Sequence, residues 1–235
     1  MKIIQTISLT LLFIFLSCGK PVLKFKYSRE IQLEKINHKE KEIFFIKMFH
    51  IGDEKFYSDI AKKIDSLRKE KFIVYYESVA NESEIDSVLN DTSLRKLRKV
   101  LGYSIDNRLD TSQNILLDKY KIDSDNQIIN QKNKILGINE NDIKVDIPIY
   151  KLIAEFENRY GEIKLTSCDQ KTDLSNHKYK CKKIDDNLRK KFKEEIIINF
   201  RDKNVAKKVA KGNDKKILIV YGGAHLEGIK TKLKK

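Results

Sequence analysis

A short apolar segment near the C-terminus, ending in two glycines and a histidine, is the feature that most constrains the fold. Residues 217–221 are mostly aliphatic or β-branched, and Gly222, Gly223 and His225 follow them directly. This order predicts a buried strand, a tight turn and then the start of a helix. In open α/β sheets, such junctions at the carboxyl ends of strands are where ligands bind.

The glycines of this junction do not form a nucleotide-binding motif. Gly222, Gly223 and Gly228 lack the G-x-G-x-x-G spacing, and Ile229 stands where a phosphate loop carries lysine. What remains is G-x-x-H, formed by Gly222 and His225.

The N-terminal half contains the pattern of a hairpin followed by a strand-helix-strand unit. Residues 29–36 and 42–49 are strand-like and flank a polar turn. Asp53 then begins a helix with an apolar stripe, and residues 72–76 form another buried strand. This order predicts a parallel crossover, which brings His50 and Glu77 to one edge of the sheet.

The rest of the chain is predicted to be largely helical. In the middle third we expect helices at 82–90, 93–101 and 148–160, and a strand at 162–166. A long helix over 186–211 and a closing helix over 226–233 flank the C-terminal strand. The predicted fold is α/β: a mostly parallel or mixed central sheet flanked by helices, with an N-terminal hairpin and a helical middle insertion. We expect residues 25–235 to form one domain.

The first eighteen residues resemble a bacterial lipoprotein signal. Met1 and Lys2 form a basic start, residues 7–16 are apolar, and Cys18 stands where such signals carry the acylated cysteine. The apolar segment is shorter than the roughly 20 residues that span a bilayer, and the charge-then-apolar order is that of a signal peptide. We expect residues 1–17 to be removed, Cys18 to be lipidated, and residues 18–24 to tether an exported protein to a cell-envelope membrane.

The other two cysteines, Cys168 and Cys181, would then lie in an oxidising compartment that permits a disulfide. A bridge across so short a loop adds roughly 3 kcal/mol. Spacing does not give the Cα separation, so a disulfide and two free thiols both remain open.

The formal net charge is +14, from 48 lysines and arginines against 34 acidic residues. The basic residues are scattered among the acids and form no basic arm or RNA-binding aromatic motif. We therefore expect no nucleic-acid partner. Such charge suits anionic lipid or polysaccharide near a membrane, or solubility alone.

Three predicted strand ends carry side chains that can bind a metal. His50, Glu77 and His225 can hold zinc, manganese or cobalt and leave a position open for water. Such an ion lowers the pKa of bound water and polarises a substrate carbonyl. Arg201, on the preceding helix, can bind an anionic substrate group or a developing oxyanion. On the residues alone, hydrogen-bonded histidines and a solvated glutamate are the alternative.

Four segments in this order resemble the TraB/PrgY/GumN family. They are residues 49–53 (FHIGD), 74–77 (VYYE), 200–206 (FRDKNVA) and 221–229 (YGGAHLEGI). That family is similar to the TIKI metalloproteases and, more distantly, to erythromycin-esterase-like and ChaN-like proteins. The resemblance covers about residues 40–80 and 195–233, and its most specific part is G-x-x-H-x-x-G.

The resemblance implies a role for each matching position. The implied metal ligands are His50, Glu77 and His225. The implied catalytic residues are Glu77 and Arg201. The implied substrate-binding residues are Gly222, Gly223 and Arg201. The family's first G-x-x-H is half present, because Lys47 stands where the glycine belongs.

Three functions are consistent with these features. The first is a metal-dependent hydrolase of a peptide or an ester outside the cytoplasm, which the resemblance implies. The second is a non-catalytic lipoprotein that binds a peptide, a haem-like ligand or a metal, and Lys47 favours it. The third is a structural lipoprotein of the envelope.

Overall fold

The computed structural model describes residues 31, 33–49, 51–77, 87–103, 128–130, 133–176 and 179–234. Within them lies a five-stranded sheet with the order β1, β2, β7, β4, β6. These strands are β1 (Leu33–His38), β2 (Lys41–Met48), β4 (Ile73–Tyr76), β6 (Ile143–Lys144) and β7 (Lys216–Gly222). Two further strands, β3 (Ile51–Asp53) and β5 (Ile128–Asn130), pair antiparallel in a separate sheet.

The pairing of the strands confirms the predicted fold class. β1 and β2 form the antiparallel N-terminal hairpin. β7 is parallel to both β2 and β4, and β4 is parallel to β6. The ends of β2, β4 and β7 therefore lie at one edge, as expected, although β7 is inserted between the other two strands.

In chain order, the α-helices among the described residues are α1 (Glu54–Lys69), α2 (Ser87–Leu101), α3 (Ile149–Tyr160), α4 (Ser167–Lys171), α5 (Asp186–Lys191), α6 (Arg201–Lys211) and α7 (Leu226–Leu233). Helix α1 packs on one face of this mixed sheet, and α6 and α7 pack on the other. A π-helical segment, Phe192–Phe200, joins α5 to α6, and a 3₁₀ turn, Gly223–His225, precedes α7. No helix among the residues described here combines the length and apolar character needed to cross a bilayer.

β7 is buried on both faces because its side chains alternate between two apolar clusters. Ile217, Ile219 and Tyr221 pack with residues of α6 and α7. Leu218 and Val220 pack with α1 on the opposite face. A central strand covered on both sides is expected to be continuously apolar, as this one is.

A third apolar cluster joins α2, α3 and the π-helical segment beside the sheet. Next to it, the buried guanidinium of Arg98 donates to the carbonyls of Asp169, Thr172 and Asp173. The same loop carries a disulfide between Cys168 and Cys181, whose Cα atoms lie 5.8 Å apart.

Two local predictions were wrong, and a third needs a refinement. Residues 162–166 form no strand, because Ile163 is the one fully buried side chain there and its neighbours are exposed or half-buried. The two helices expected at 82–90 and 93–101 are, in their described part, the single helix α2. The long helix over 186–211 is present with the predicted bounds, but its middle part, Phe192–Phe200, is π-helical rather than α-helical.

Candidate functional site

Glu77 and His225 meet at the carboxyl edge of the parallel strands. Glu77 directly follows β4, and its backbone N–H donates to Val220 O of β7 at 3.0 Å. His225 follows β7 through the 3₁₀ turn. Both side chains are buried, with 2% of Glu77 and 4% of His225 exposed. His50, the third expected metal ligand, lies outside the described residues, as do Cys18 and the signal and tether segments.

The guanidinium of Arg201 lies between these two side chains. Its Nη2 donates to Glu77 Oε1, and its Nη1 donates to His225 Nε2 at 3.3 Å. The other carboxylate oxygen, Glu77 Oε2, accepts the backbone N–H of Gly222 at 2.7 Å. The positively charged guanidinium of Arg201 therefore contacts Glu77 and His225, the two side chains that were expected to coordinate a metal ion.

Asp146 is the second carboxylate bound to Arg201. Its two oxygens accept Nε and Nη2 of the guanidinium, each at 2.8 Å. This two-point contact has the planar geometry that favours arginine over lysine. The hydroxyl of Tyr221 donates to Asp146 Oδ1 at 2.9 Å, and the Tyr221 ring centroid lies 5.1 Å from Arg201 Cζ.

The surroundings of Arg201 keep it charged. Burial by itself lowers the pKa of the guanidinium, but the carboxylates of Asp146 and Glu77 outweigh burial and hold that pKa well above its usual value. Burial also raises the pKa of Tyr221 well above its usual value, so its hydroxyl stays protonated and can donate. The Arg201 cation is thus a fixed part of the site.

Asp202 orients the His225 ring from the other side. His225 Nδ1 donates to Asp202 Oδ1 at 2.6 Å. Because Nε2 accepts from Arg201, the two contacts together select the neutral imidazole with its proton on Nδ1. Asp202 is fully buried, and no hydrogen-bond donor in the described part of the chain reaches its Oδ2. Lys232 Nζ lies 3.9 Å from that oxygen.

The glycines of the G-x-x-H-x-x-G segment permit close approach of these carboxylates. A Cβ at Gly228 would lie 1.8 Å from Asp202 Oδ2, and a Cβ at Gly222 would lie 3.2 Å from Glu77 Oε2. Position 223 is also tight, because a Cβ there would lie 3.3 Å from Lys47 Cβ. The structure therefore gives Gly222 and Gly223, expected at the substrate, packing roles as well.

As arranged, Glu77 and His225 do not fit a divalent ion. Their polar atoms are engaged by Arg201, Gly222 and Asp202. Over the described ranges, which omit His50, no three His, Cys, Asp or Glu side chains are placed to hold a metal. A metal at these atoms would have to displace the guanidinium.

Sequence reasoning missed both aspartates that contact Arg201 and His225, and it assigned Tyr221 only to a buried strand. Asp202 follows Arg201 directly, so its place next to the expected site was a usable signal. Asp146 follows the two-residue strand β6 in the middle third, where the pattern is weak, and it carried no such signal. Both residues act on Arg201 or His225 through contacts that span more than twenty positions of the chain.

The network is thus Glu77, Asp146, Arg201, Asp202, Tyr221 and His225, held at the carboxyl edge of the sheet. The resemblance to TraB/PrgY/GumN proteins rests on the four sequence segments and remains a prediction. Comparison of the chain with models of known families, with curated proteins and with solved structures finds no significant match.

Proposed function

We propose that this chain is a lipid-anchored envelope protein that binds a small ligand without converting it. In this proposal the Glu77–Arg201–His225 group is a fixed polar network that supports the ligand-binding edge of the sheet. The observation that carries it is the position of the Arg201 guanidinium between Glu77 Oε1 and His225 Nε2. In this proposal the guanidinium of Arg201 provides the positive charge that a metal ion would otherwise bring to Glu77 and His225.

The energetics of the network support a fixed role. Arg201 is only 8% exposed and donates to Glu77, Asp146 and His225 together. Breaking a buried ion pair by removing one partner costs about 3–5 kcal/mol, because the remaining charge stays buried. Displacing the guanidinium would leave two buried carboxylates without their partner, so a ligand gains little by competing for it.

The second candidate is a metal-dependent hydrolase of a peptide or an ester, and one observation favours it. Asp202 accepts from His225 Nδ1 and leaves Nε2 directed towards Arg201. Metal-binding histidines commonly have a carboxylate bound in this way to the other ring nitrogen. This function requires that a divalent ion replace Arg201 at Glu77 and His225, with His50 as the expected third ligand.

Metal content distinguishes the two candidates. The full chain, purified in mild detergent, is incubated with manganese, cobalt or zinc, dialysed and subjected to elemental analysis beside Glu77→Gln and His225→Ala. The binding protein predicts no stoichiometric ion in any of the three. About one ion per chain in the wild type, lost in both variants while the circular dichroism spectrum is unchanged, contradicts the fixed network, and turnover then separates a metal-binding protein from the hydrolase.

Binding and turnover are then measured on the same samples. Peptides, haem and small organic anions are screened for saturable stabilisation against heat, and each ligand that binds is followed by chromatography for product. We expect saturable binding of at least one class with no product. Multiple turnovers of any bound ligand would refute the proposal.

The anchor is tested separately, since it rests on residues 1–18 alone. In cells, the wild-type chain should sediment with membranes, and Cys18→Ser should not be acylated when radiolabelled fatty acid is supplied. Equal labelling of both chains contradicts the assignment of Cys18 as the lipid site.

A further inference from the structure

The outward face of α6 carries a row of lysines. Lys203, Lys207 and Lys211 are exposed and recur every four residues, so they lie one above another along the helix. The opposite side of α6 packs into the protein through Val205 and Val209. No acidic residue occurs between positions 203 and 211. At the rise of an α-helix, this lysine row is about 12 Å long.

The lysine row has no counter-charge in the part of the chain that the structure describes. None of its three side chains takes part in a hydrogen bond or an ion pair there. The nearest acids along the chain are already bound, Asp202 by His225 and Asp214 by Tyr75. Like charges four residues apart destabilise a helix slightly, so the row does not serve the stability of α6. An external anionic surface would relieve this repulsion.

The neighbouring helix α7 does not compensate the row. Residues of α6 and α7 share one apolar cluster, so the two helices lie side by side. The single acid of α7, Glu227, has its Oε1 3.5 Å from Lys230 Nζ. Lys232 Nζ lies 3.9 Å from the buried Oδ2 of Asp202. The charges of α7 beside the row are therefore paired among themselves or with the interior, and none is a free acid.

The course of the chain brings the expected tether to the edge of the sheet where the row begins. β1 starts at Leu33, which pairs with Ile46 near the carboxyl end of β2. α6 starts at the same edge, because Arg201 binds Glu77 there. A segment as long as residues 18–32 spans at most roughly 50 Å when it is fully extended. A membrane anchor at Cys18 therefore keeps the lysine row within reach of the bilayer.

We propose that the lysine row of α6 docks on the anionic phospholipid surface of the membrane to which Cys18 is anchored. This inference rests on the proposed lipid anchor, and it names the surface by which the domain lies on the bilayer. A straight row on a helix, without a pocket, suits the spread charge of a lipid surface.

The attraction that the row can supply is modest but sufficient for a tethered domain. Each lysine close to an anionic leaflet raises the ratio of docked to undocked molecules roughly fivefold. The tether makes docking intramolecular, so weak attraction is enough. Because the attraction falls off within about 8 Å at physiological salt, only side chains that face the bilayer gain from it.

Lysine footprinting of the acylated full chain tests this docking. The protein is purified in mild detergent and inserted into preformed vesicles of phosphatidylcholine, alone or mixed equally with phosphatidylglycerol. Trace acetylation by a water-soluble reagent is then measured at each lysine by peptide mass spectrometry. Lys69 is the internal control, because it is exposed at the end of α1, and α1 packs on the opposite face of the sheet.

We expect acetylation of Lys203, Lys207 and Lys211 to be at least about fivefold slower on anionic than on neutral vesicles, with the rate at Lys69 unchanged. At molar salt, where the screening length is only about 3 Å, the difference should vanish. Equal rates on both kinds of vesicle, or equal slowing at Lys69, overturn the proposed surface. Slowing on neutral vesicles by added alginate, with none on anionic vesicles, also overturns it and indicates an anionic polysaccharide.

Two charge reversals give the matched comparison. Lys207→Glu should abolish most of the slowing at Lys203 and Lys211 on anionic vesicles, whereas Lys69→Glu should leave it unchanged. Both substitutions are at exposed positions, where changes alter stability little. Full slowing at Lys203 and Lys211 in the Lys207→Glu chain contradicts docking through this row.

The same samples separate this inference from the lipid anchor. Acylation of Cys18 is read from the mass of its peptide. If Cys18 is acylated and the lysine row is not protected, the anchor stands and the inference is wrong. If Cys18 is not acylated, the anchor fails and this inference fails with it, whereas ligand binding at the edge of the sheet is unaffected.

Discussion

Gly228→Ala should destabilise the protein, although the same change stabilises most helices. Gly228 is the third residue of α7, and alanine in a helix is ordinarily favoured over glycine by about 1 kcal/mol. Here the added Cβ would lie 1.8 Å from Asp202 Oδ2 and 2.7 Å from Asp202 Cγ. Either Asp202 or α7 has to move. The sign of the change in the free energy of unfolding therefore reports on the contact between position 228 and Asp202.

The size of the effect follows from two costs. Overpacking a closely packed interior costs about 1–3 kcal/mol. Moving Asp202 also weakens its 2.6 Å hydrogen bond with His225 Nδ1, and hydrogen bonds of charged groups contribute about 1.5–3 kcal/mol. After the gain in helix propensity is subtracted, we expect a net loss of roughly 2–4 kcal/mol in the free energy of unfolding.

Urea unfolding of a soluble form that begins at Gly19 measures this loss. Asp202→Ala is the control background, because it removes the carboxylate that the new Cβ would meet. In the Asp202→Ala background, Gly228→Ala should leave the free energy of unfolding unchanged or raise it by up to about 1 kcal/mol. The coupling energy between the two substitutions is then at least as large as the loss that Gly228→Ala causes in the wild type. Stabilisation by Gly228→Ala in the wild-type background would refute the packing argument.

Two further predictions concern the loop beside α2. Replacing Cys168 and Cys181 by serine together should lower the free energy of unfolding by about 3 kcal/mol and make urea unfolding insensitive to reductant, whereas reductant should destabilise the wild type by a similar amount. The buried carboxyl of Asp169 should make the protein sensitive to acid. Burial raises its pKa, but hydrogen bonds from Lys99 and Tyr179 outweigh burial and hold the pKa well below the usual value. Because the pKa is lower in the folded chain than the unfolded value of about 3.9, the stabilisation is present above that value and is lost as the pH falls through the folded pKa. Asp169→Asn should cost roughly 2–4 kcal/mol at pH 7 and flatten the fall in stability between about pH 5 and pH 2, and an unchanged acid profile in this variant would contradict the assignment.

Much of the architecture follows from local patterns in the sequence. The continuous apolar strand β7, the predicted closing helix α7 and the hairpin of β1 and β2 each have a pattern that a window of about ten residues contains. The predicted apolar stripe of α1 was also found, since Tyr57, Ile60, Ile64 and Leu67 are buried. The pattern was misleading at residues 162–166, where a strand was predicted but Ile163 is the one fully buried side chain.

The site was predictable only in part. Glu77, Arg201 and His225 were identified from strand ends, one helix and a resemblance, and the structure brings these three side chains together. Glu77 and His225 were expected to bind a metal, but in the structure they bind the guanidinium of Arg201. The sequence does not show that Arg201 lies between them. Asp146 was not found, since its role depends on contacts with Arg201 and Tyr221 rather than on its neighbours in the chain.

The sequence by itself determined the longer strands and helices around the sheet, because apolar periodicity and turn residues act over short distances. Only the tertiary structure decided which charges face one another. A guanidinium placed between Glu77 and His225 requires β4, β7 and α6 to be packed in one arrangement. The same packing explains Gly228, whose missing side chain makes room for Asp202 from another helix. Periodicity specifies the apolar face of each element, whereas the partner of a buried polar atom is set by distances that exist only after the elements have packed.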